Sequence, residues 1–455
     1  MGHTRGVGHG HGHGHGHGND TALGGVEAAS VRRLLVIAVC LIGVAALTGL
    51  ALWWPSDDPA VDQEALGFSD RVEATVTGSE RGPCPGAAVD PVPDPATDLP
   101  ECLLITTRIT SGSDVGETAT LQVSSDVDSP ASRLVPGDDI VLNDGGADQP
   151  DELRYSFGDM QRSMPLVLLA VVFAAVVIAL GRLRGLLALA GIAVSLGVLL
   201  LFVFPAMLDG APPIGVALTG ATIIAFGTLY LAHGVSDRTT VALLGTLGSL
   251  ALTAALAVGF ADAAVLSGLA SDESLTLLTF APELNFRGLL LAAVIIGTLG
   301  VLDDVTITQV AAVWELHRAD PTMGRRRLYG AGIRIGRDHI ASTVNTLVLA
   351  YAAAAMPLLL IYSQSGLAFG EVLTTETIAV EIVQTLVGSI GLVASVPLTT
   401  ALACWVVIRS GSARRPADTP DDGQSTWWDV PDAAPRPEPA RRTGRGDEFW
   451  TNDPW

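Results

Sequence analysis

Lysine is absent from this sequence: all 26 basic residues of the 455 are arginine. Charge of either sign is scarce, at 16% of residues, against 49% hydrophobic. Mean hydropathy is +0.44, above the range of soluble chains. No nucleotide-binding loop, zinc-protease motif or nucleophile elbow occurs anywhere in the chain. No enzymatic activity is therefore expected, and no cofactor is implied. Clustered basic residues are missing from 56–163, which holds 22 Asp and Glu against 6 Arg. That imbalance excludes nucleic acid as the partner of the segment, because phosphate contacts need grouped cations. It reads as a solvated, aggregation-resistant surface in preference to a cation-binding one.

Long apolar runs dominate the remainder. A spanning helix needs roughly 20 mostly apolar residues to cross a hydrocarbon core about 30 Å thick. The first run, 34–54, follows Arg32 and Arg33 and ends on Trp53 and Trp54. It is longer than a signal-peptide core and closes on interfacial aromatics, so a retained signal anchor is expected. Seven more runs occupy 164–180, 186–204, 214–232, 240–260, 289–302 with its continuation, 340–362 and 378–408. With both termini inside, eight crossings put Arg182, Arg184, Arg238, Arg318, Arg325, Arg326, Arg327, Arg334 and Arg337 in short inner loops. The short outer loops then hold Arg287 alone, as the positive-inside rule requires. The acidic 56–163 segment falls outside the cell.

The expected architecture is an all-α polytopic membrane bundle of about eight transmembrane helices with a small extracytoplasmic β-barrel-like domain. Its parts are a His/Gly-rich cytoplasmic tail (1–31), the anchor (32–55), the outer β domain (56–163), seven spans (164–408) and a Pro-, Asp- and Arg-rich cytoplasmic tail (409–455). In the outer domain, strands are expected at 72–77, 103–109, 118–123, 139–142 and 153–157, separated by Gly112, Pro136-Gly137 and Gly145-Gly146. Five short strands suit a small OB-like barrel, with a small sandwich as the alternative. Cys84 and Cys102 share the oxidising compartment and are expected to form a disulfide. Cys40 and Cys404 lie in spans and behave as small hydrophobes.

His9, His11, His13, His15 and His17 alternate with glycine near the N-terminus. Imidazoles bind Zn²⁺ or Ni²⁺, yet a glycine-rich tail has no fixed geometry, and low complexity is the simpler reading. Trp427, Trp428, Trp450 and Trp455 stand out in a tail too polar to build a core.

Polar groups inside a span are costly and usually face a partner or a pathway. The richest such stretch is 297–309, with Asp303, Asp304, Thr306, Thr308 and Gln309 following Gly297 and Gly300. On a continuing helix, Asp304, Thr308 and Glu315 share one face. Carboxylates with hydroxyls make a hard oxygen site for H⁺, Na⁺ or a divalent cation. The competing reading puts the two aspartates at the cytoplasmic interface, with Asp304 capping a helix over 305–316. Arg337, Asp338 and His339, then Ser342, Thr343 and Asn345, open a later span; Arg337 is a counter-charge for the aspartates or an ordinary inner anchor. Glu381 and Gln384 head the last span. His233 is assigned to an interface.

Three segments taken together, GTLGVLDDVTITQVAAVWEL (297–316), GRDHIASTVNTLVLAY (336–351) and EIVQTLVGSIGLVASVPLTT (381–400), resemble the hallmark stretches of the YibE/YibF family of bacterial multi-pass membrane proteins. The resemblance covers about residues 160–408, and the outer domain resembles the extracytoplasmic part of the family's long form. It implies a plasma-membrane location and a permease-like role, without an established substrate or functional residues to carry over. A secondary transporter or export permease is the leading expectation. A non-transporting scaffold or sensor whose outer domain binds envelope components, or the membrane subunit of a primary transporter with a separate ATPase, are the alternatives. The lipid bilayer is the certain partner; envelope or membrane-protein partners and an oligomer are left open.

Overall fold

The computed structural model describes residues 20–56, 70–83, 101–124, 129–146 and 154–411. The five tail histidines, the four tail tryptophans and Cys84 lie outside the described residues, so neither the metal reading nor the Cys84–Cys102 pairing is addressed by them. Cys102 is buried in the outer sheet, and Cys40 and Cys404 are free thiols.

Helix α1 (Asp20–Leu52) precedes the sheet strands β1 (Asp70–Pro83), β2 (Glu101–Ile109), β3 (Thr118–Ser124), β4 (Asp139–Asp144) and β5 (Tyr155–Met160). All neighbours are antiparallel, in the order β3-β2-β1-β4-β5. The long β1 pairs with β4 over its first half and with β2 over its second, and a bulge at Val76/Gly78 bends it between them. The edge strands β3 and β5 approach one another, so the sheet curls into a half-barrel. Alternation builds its core: Val72, Ala74 and Val76 from β1 meet Ile105, Thr107 and Ile109 from β2 and Ile140 and Leu142 from β4. The fifth strand starts two residues later than its apolar pattern suggested. Beside it, Arg154 bridges Asp114 (2.5 Å) and Asp144 (3.0 Å), and the Tyr155 hydroxyl donates to Asp114 (2.6 Å). The Tyr155 hydrogen bond holds the Asp114 carboxyl below its ordinary value, and the Arg154 hydrogen bond does the same for Asp144. Burial pushes the Tyr155 phenol up to about 12.

The helical part comprises α2 (Ser163–Val198), a π-turn (Leu199–Val203), α3 (Phe204–Leu208), α4 (Pro213–His233), α5 (Asp237–Ala263), α6 (Asp272–Phe280), α7 (Phe286–Ala319), α8 (Arg325–Ala354), α9 (Met356–Ser363), α10 (Phe369–Thr374) and α11 (Glu376–Gly411). Local chemistry sets the starts. Ser236 and Asn285 cap α5 and α7 by accepting from Thr239 N and Gly288 N, and Pro213 occupies the first turn of α4. Among the described residues, six helical stretches are long and apolar enough to cross a membrane, or up to seven when α8 and α9, bent by 64°, count as one. The bend falls where Pro357 removes a backbone donor.

The expectation of eight differs because Ser163–Leu208 forms a single 46-residue helical stretch. That stretch breaks at Arg182, whose φ of 49° is non-helical. A Cβ on Gly185 would strike the backbone carbonyl of Val177. Along a straight helix those residues would stand about 12 Å apart, so the chain doubles back there.

The packing sorts the helix ends into two groups. At the end that leads into the sheet, Ser56 N donates to Asp209 Oδ2 (2.6 Å), Ser267 N and Oγ donate to Glu376 (2.6 and 2.7 Å), and Arg287 pairs with Asp262. At the opposite end, Arg32 lies 3.9 Å from Asp237 and Arg238 lies 3.8 Å from Glu315. Helices α5, α7 and α11 each pack on the other two and form the centre. The first half of α2 lies at the other extreme: its apolar side chains face outward along its whole length.

Candidate functional site

Helix α7 organises the site. It runs unbroken from Phe286 to Ala319, so Asp303 and Asp304 sit within a continuous helix and the capping reading of Asp304 falls. Helix α4 runs parallel to it. Gly288 abuts Pro213, and fifteen residues further along both helices Thr228 meets Asp303. Fifteen residues correspond to about 22 Å of helix.

Asp303 Oδ2 lies 2.8 Å from Thr228 Oγ1. The same threonine hydroxyl lies 2.9 Å from the carbonyl of Ile224 in its own helix. One proton serves both acceptors. Asp303 Oδ1 is sealed from solvent and has no hydrogen-bond partner among the described residues. Buried carboxylate oxygens are normally bonded, so this one is ready for a proton or a cation.

The neighbouring polar residues do not converge on it. An α-helix turns by about 100° per residue, which sends each to a different neighbour. Thr306 is buried against α5, with its Oγ1 2.6 Å from that of Thr246. Gln309 Nε2 donates to Gly332 O of α8 (2.9 Å) and to Thr400 Oγ1 of α11 (2.7 Å). Its Oε1 lies so near Gly336 that a side chain there would collide with it. Thr306 and Gln309 thus lock helices together. Thr308 donates to Asp304 O within its own helix (2.8 Å), and Glu315 pairs with Arg318 (3.1 Å) and Arg238. Arg337 and Asn345 stand exposed on α8, and no ion pair joins Arg337 to either aspartate among the described residues. Helix α8 packs on α7 through Gly332 and Gly336.

Near the sheet end, Glu381 lines a cavity of about 240 Å³ with Ser271, Ser274, Ala293 and Thr377. One turn further, Gln384 Nε2 donates to Tyr351 OH (3.2 Å), beside Gly297. From the cavity onward, the exposed side of α7 presents Ala293, Gly297, Gly300, Asp304, Thr308 and Glu315. Their spacing keeps them on one stripe. Every residue on it is small or polar, in a helix that is otherwise largely buried among apolar neighbours. At its far end Asp304 lies in the electrostatic range of His233, which also feels Arg184 and Arg238.

Thr228, Thr246, Tyr351 and Thr400 escaped the sequence reading. Their only signal was a hydroxyl within an apolar run. That signal is weak, because a helical threonine usually bonds its own preceding turn. Among the described residues, no group of three His, Cys, Asp or Glu could hold a metal ion.

No curated protein and no solved structure matches the chain. A family model does, over residues 169–409, which contain α4, α5, α7, α8 and the polar stripe. The match takes in more than half of the sequence, and the chain belongs to the family of YibE/F-like proteins.

Proposed function

We propose that the chain is a plasma-membrane permease, a secondary transporter that moves a small solute or ion along the exposed stripe of α7. The arginine-rich helix ends face the cytoplasm with both termini, and the half-barrel lies outside, with a Cys84–Cys102 disulfide pinning the Pro-rich segment between them to it. Counting the two halves of Ser163–Leu208 separately, and bent α8 and α9 as one, gives about eight crossings, none much shorter than the roughly 20 residues a bilayer demands. Glu381 and Gln384 form the outer mouth, Asp303 binds the coupling ion, and Asp304 and Glu315 lead to the cytoplasmic side.

The observation that carries the reading is Asp303 Oδ1, buried without a partner deep in a span. In hydrocarbon such an oxygen is costly unless protonated or ion-bound, and alternation between those states is what ion coupling requires. The chemistry needs no catalytic group and no cofactor.

The test replaces Cys40 and Cys404 and scans single cysteines along α7 with membrane-impermeant thiol reagents from each side. Positions 293, 297, 300, 304 and 308 should label, while 299, 302 and 310 stay protected. Labelling that ignores the helix face would remove the pathway. In proteoliposomes enclosing a pH- or Na⁺-sensitive dye, Asp303→Asn should abolish ion movement while insertion stays normal. Unchanged ion movement in that variant would sink the coupling role.

A further inference from the structure

Helix α8 exposes an unusual set of side chains for a span. Arg334, Asp338, Ser342 and Asn345 fall on one side of the helix, and all four are exposed, as is Arg337. None of the five side chains has a hydrogen-bond or ion-pair partner among the described residues. Helix α2 is the contrast: it exposes leucine, valine and isoleucine, which lipid covers without cost. Lipid cannot serve the serine and the asparagine, which lie furthest along α8 from its arginine-rich end. The adjoining face of α7 adds the exposed acid Asp304.

We infer that this joint face of α7 and α8 is where two copies of the chain pair in the membrane, Arg337 of each reaching Asp304 of the other. The inference rests on the membrane reading of the helices and does not need transport. Depth selects a second copy as the occupant. A two-fold axis along the membrane normal keeps every residue at its own depth, so an acid and a base of one face can meet across it only at matching levels. Gln309 fixes those levels, because it bonds Gly332 and touches Gly336. Asp304 lies five residues from Gln309 toward the sheet end, and Arg337 one residue beyond Gly336 in the same direction. The two therefore sit within about one helical turn of each other, 5.4 Å, inside the reach of an arginine side chain. Acid on α7 and base on α8 make the face self-complementary. Pairing also seals Ser342 and Asn345 from lipid and gives Asp304 an arginine counter-charge.

Two differently tagged copies, both lacking Cys40 and Cys404, test this in native membranes. One carries Asp304→Cys and the other Arg337→Cys; each leaves one of the two pairs intact. A short thiol cross-linker should join the tags. The control pair is Asp304→Cys with Ile192→Cys, an exposed position beside Gly191, which packs on Thr228 at the depth of Asp303. Cross-linking no stronger than in that control would overturn the interface. Subunit counting in vesicles then reads the charge pair: Asp304→Arg should lose most of the dimer, and Asp304→Arg with Arg337→Asp in the same chain should restore it. A double variant as monomeric as the single one would refute the pairing. Loss of ion movement with the dimer intact would bear on the transport reading alone.

Discussion

Helices α8 and α11 both lie against α7, and they use their polar residues in opposite ways. Helix α11 buries Ser389, Ser395, Thr399 and Thr400 in the seam with α5 and α7. Helix α8 turns glycines toward the same seam and leaves its polar side chains outside. In the first case neighbouring helices of the same chain cover the polar groups, and Thr400 accepts from Gln309 across the seam; in the second they point to something beyond the single chain. Composition alone does not separate the two. Whether its own chain covers a group does.

Overfilling the α11 seam should have the largest effect. Gly391 lies so close to Thr253 of α5 that a Cβ would overlap its hydroxyl. Gly391→Val is expected to cost about 3 kcal/mol or more, seen as loss of folded protein on size-exclusion chromatography in mild detergent. Adding Thr253→Ala should recover part of it. Full tolerance of Gly391→Val would mean the seam is looser than its geometry.

Next comes Gln309, which joins three helices. Gln309→Leu keeps the volume and removes both interhelical bonds, each worth about 1 kcal/mol in a membrane bundle. Its thermal midpoint in detergent should fall by several degrees. Asp303→Asn should behave differently: it neutralises a buried carboxylate with an unbonded oxygen, so thermal stability should hold or rise while ion movement is lost. Equal destabilisation by both variants would erase the distinction between glue and site on α7.

These assignments show what was legible beforehand. The five strands followed from period-two alternation, because one face of the sheet is buried and the other wet. The reversal at Arg182 followed from two arginines between apolar runs, where a helix emerging on the charged side of a membrane must turn. The site was only partly legible. Asp303, Asp304, Thr306, Thr308 and Gln309 look like one cluster in sequence, but the helical turn distributes them among α4, α5, α8, α11 and the open stripe. The partner of Asp303 is Thr228, 75 residues away, and no local pattern announces such a contact. Nor does a sequence show that α8 meets α7 through Gly332 and Gly336, and that packing decides where Arg337 points.

The outer sheet offers a test with no membrane involved. Asp114 and Asp144 are held below their ordinary carboxyl values by the hydrogen bonds from Tyr155 and Arg154. A carboxyl depressed in the folded state contributes stability that is present above its unfolded value, about 3.9, and is lost as pH falls through the folded value. The sheet should therefore hold its fold from neutral pH to about pH 4 and loosen below it. Hydrogen exchange of the full-length protein should report this in β4 and β5 first. Arg154→Leu should weaken the sheet at neutral pH and blunt its loosening in acid, since protonation then relieves two carboxylates that have lost their shared cation.

The smallest effect is expected on α8. Ser342→Ala and Asn345→Leu remove polar groups that bond nothing among the described residues, so the monomer should keep its stability in detergent within about 0.5 kcal/mol, as for substitutions that break no internal contact. An exposed apolar side chain is also better solvated by lipid than asparagine is. The same variants in native membranes should weaken tag-to-tag cross-linking, because only there does a second copy cover those positions. Destabilisation of the detergent-solubilised monomer would mean that α8 carries structural bonds after all, and the contrast with α11 would collapse into two versions of the same packing.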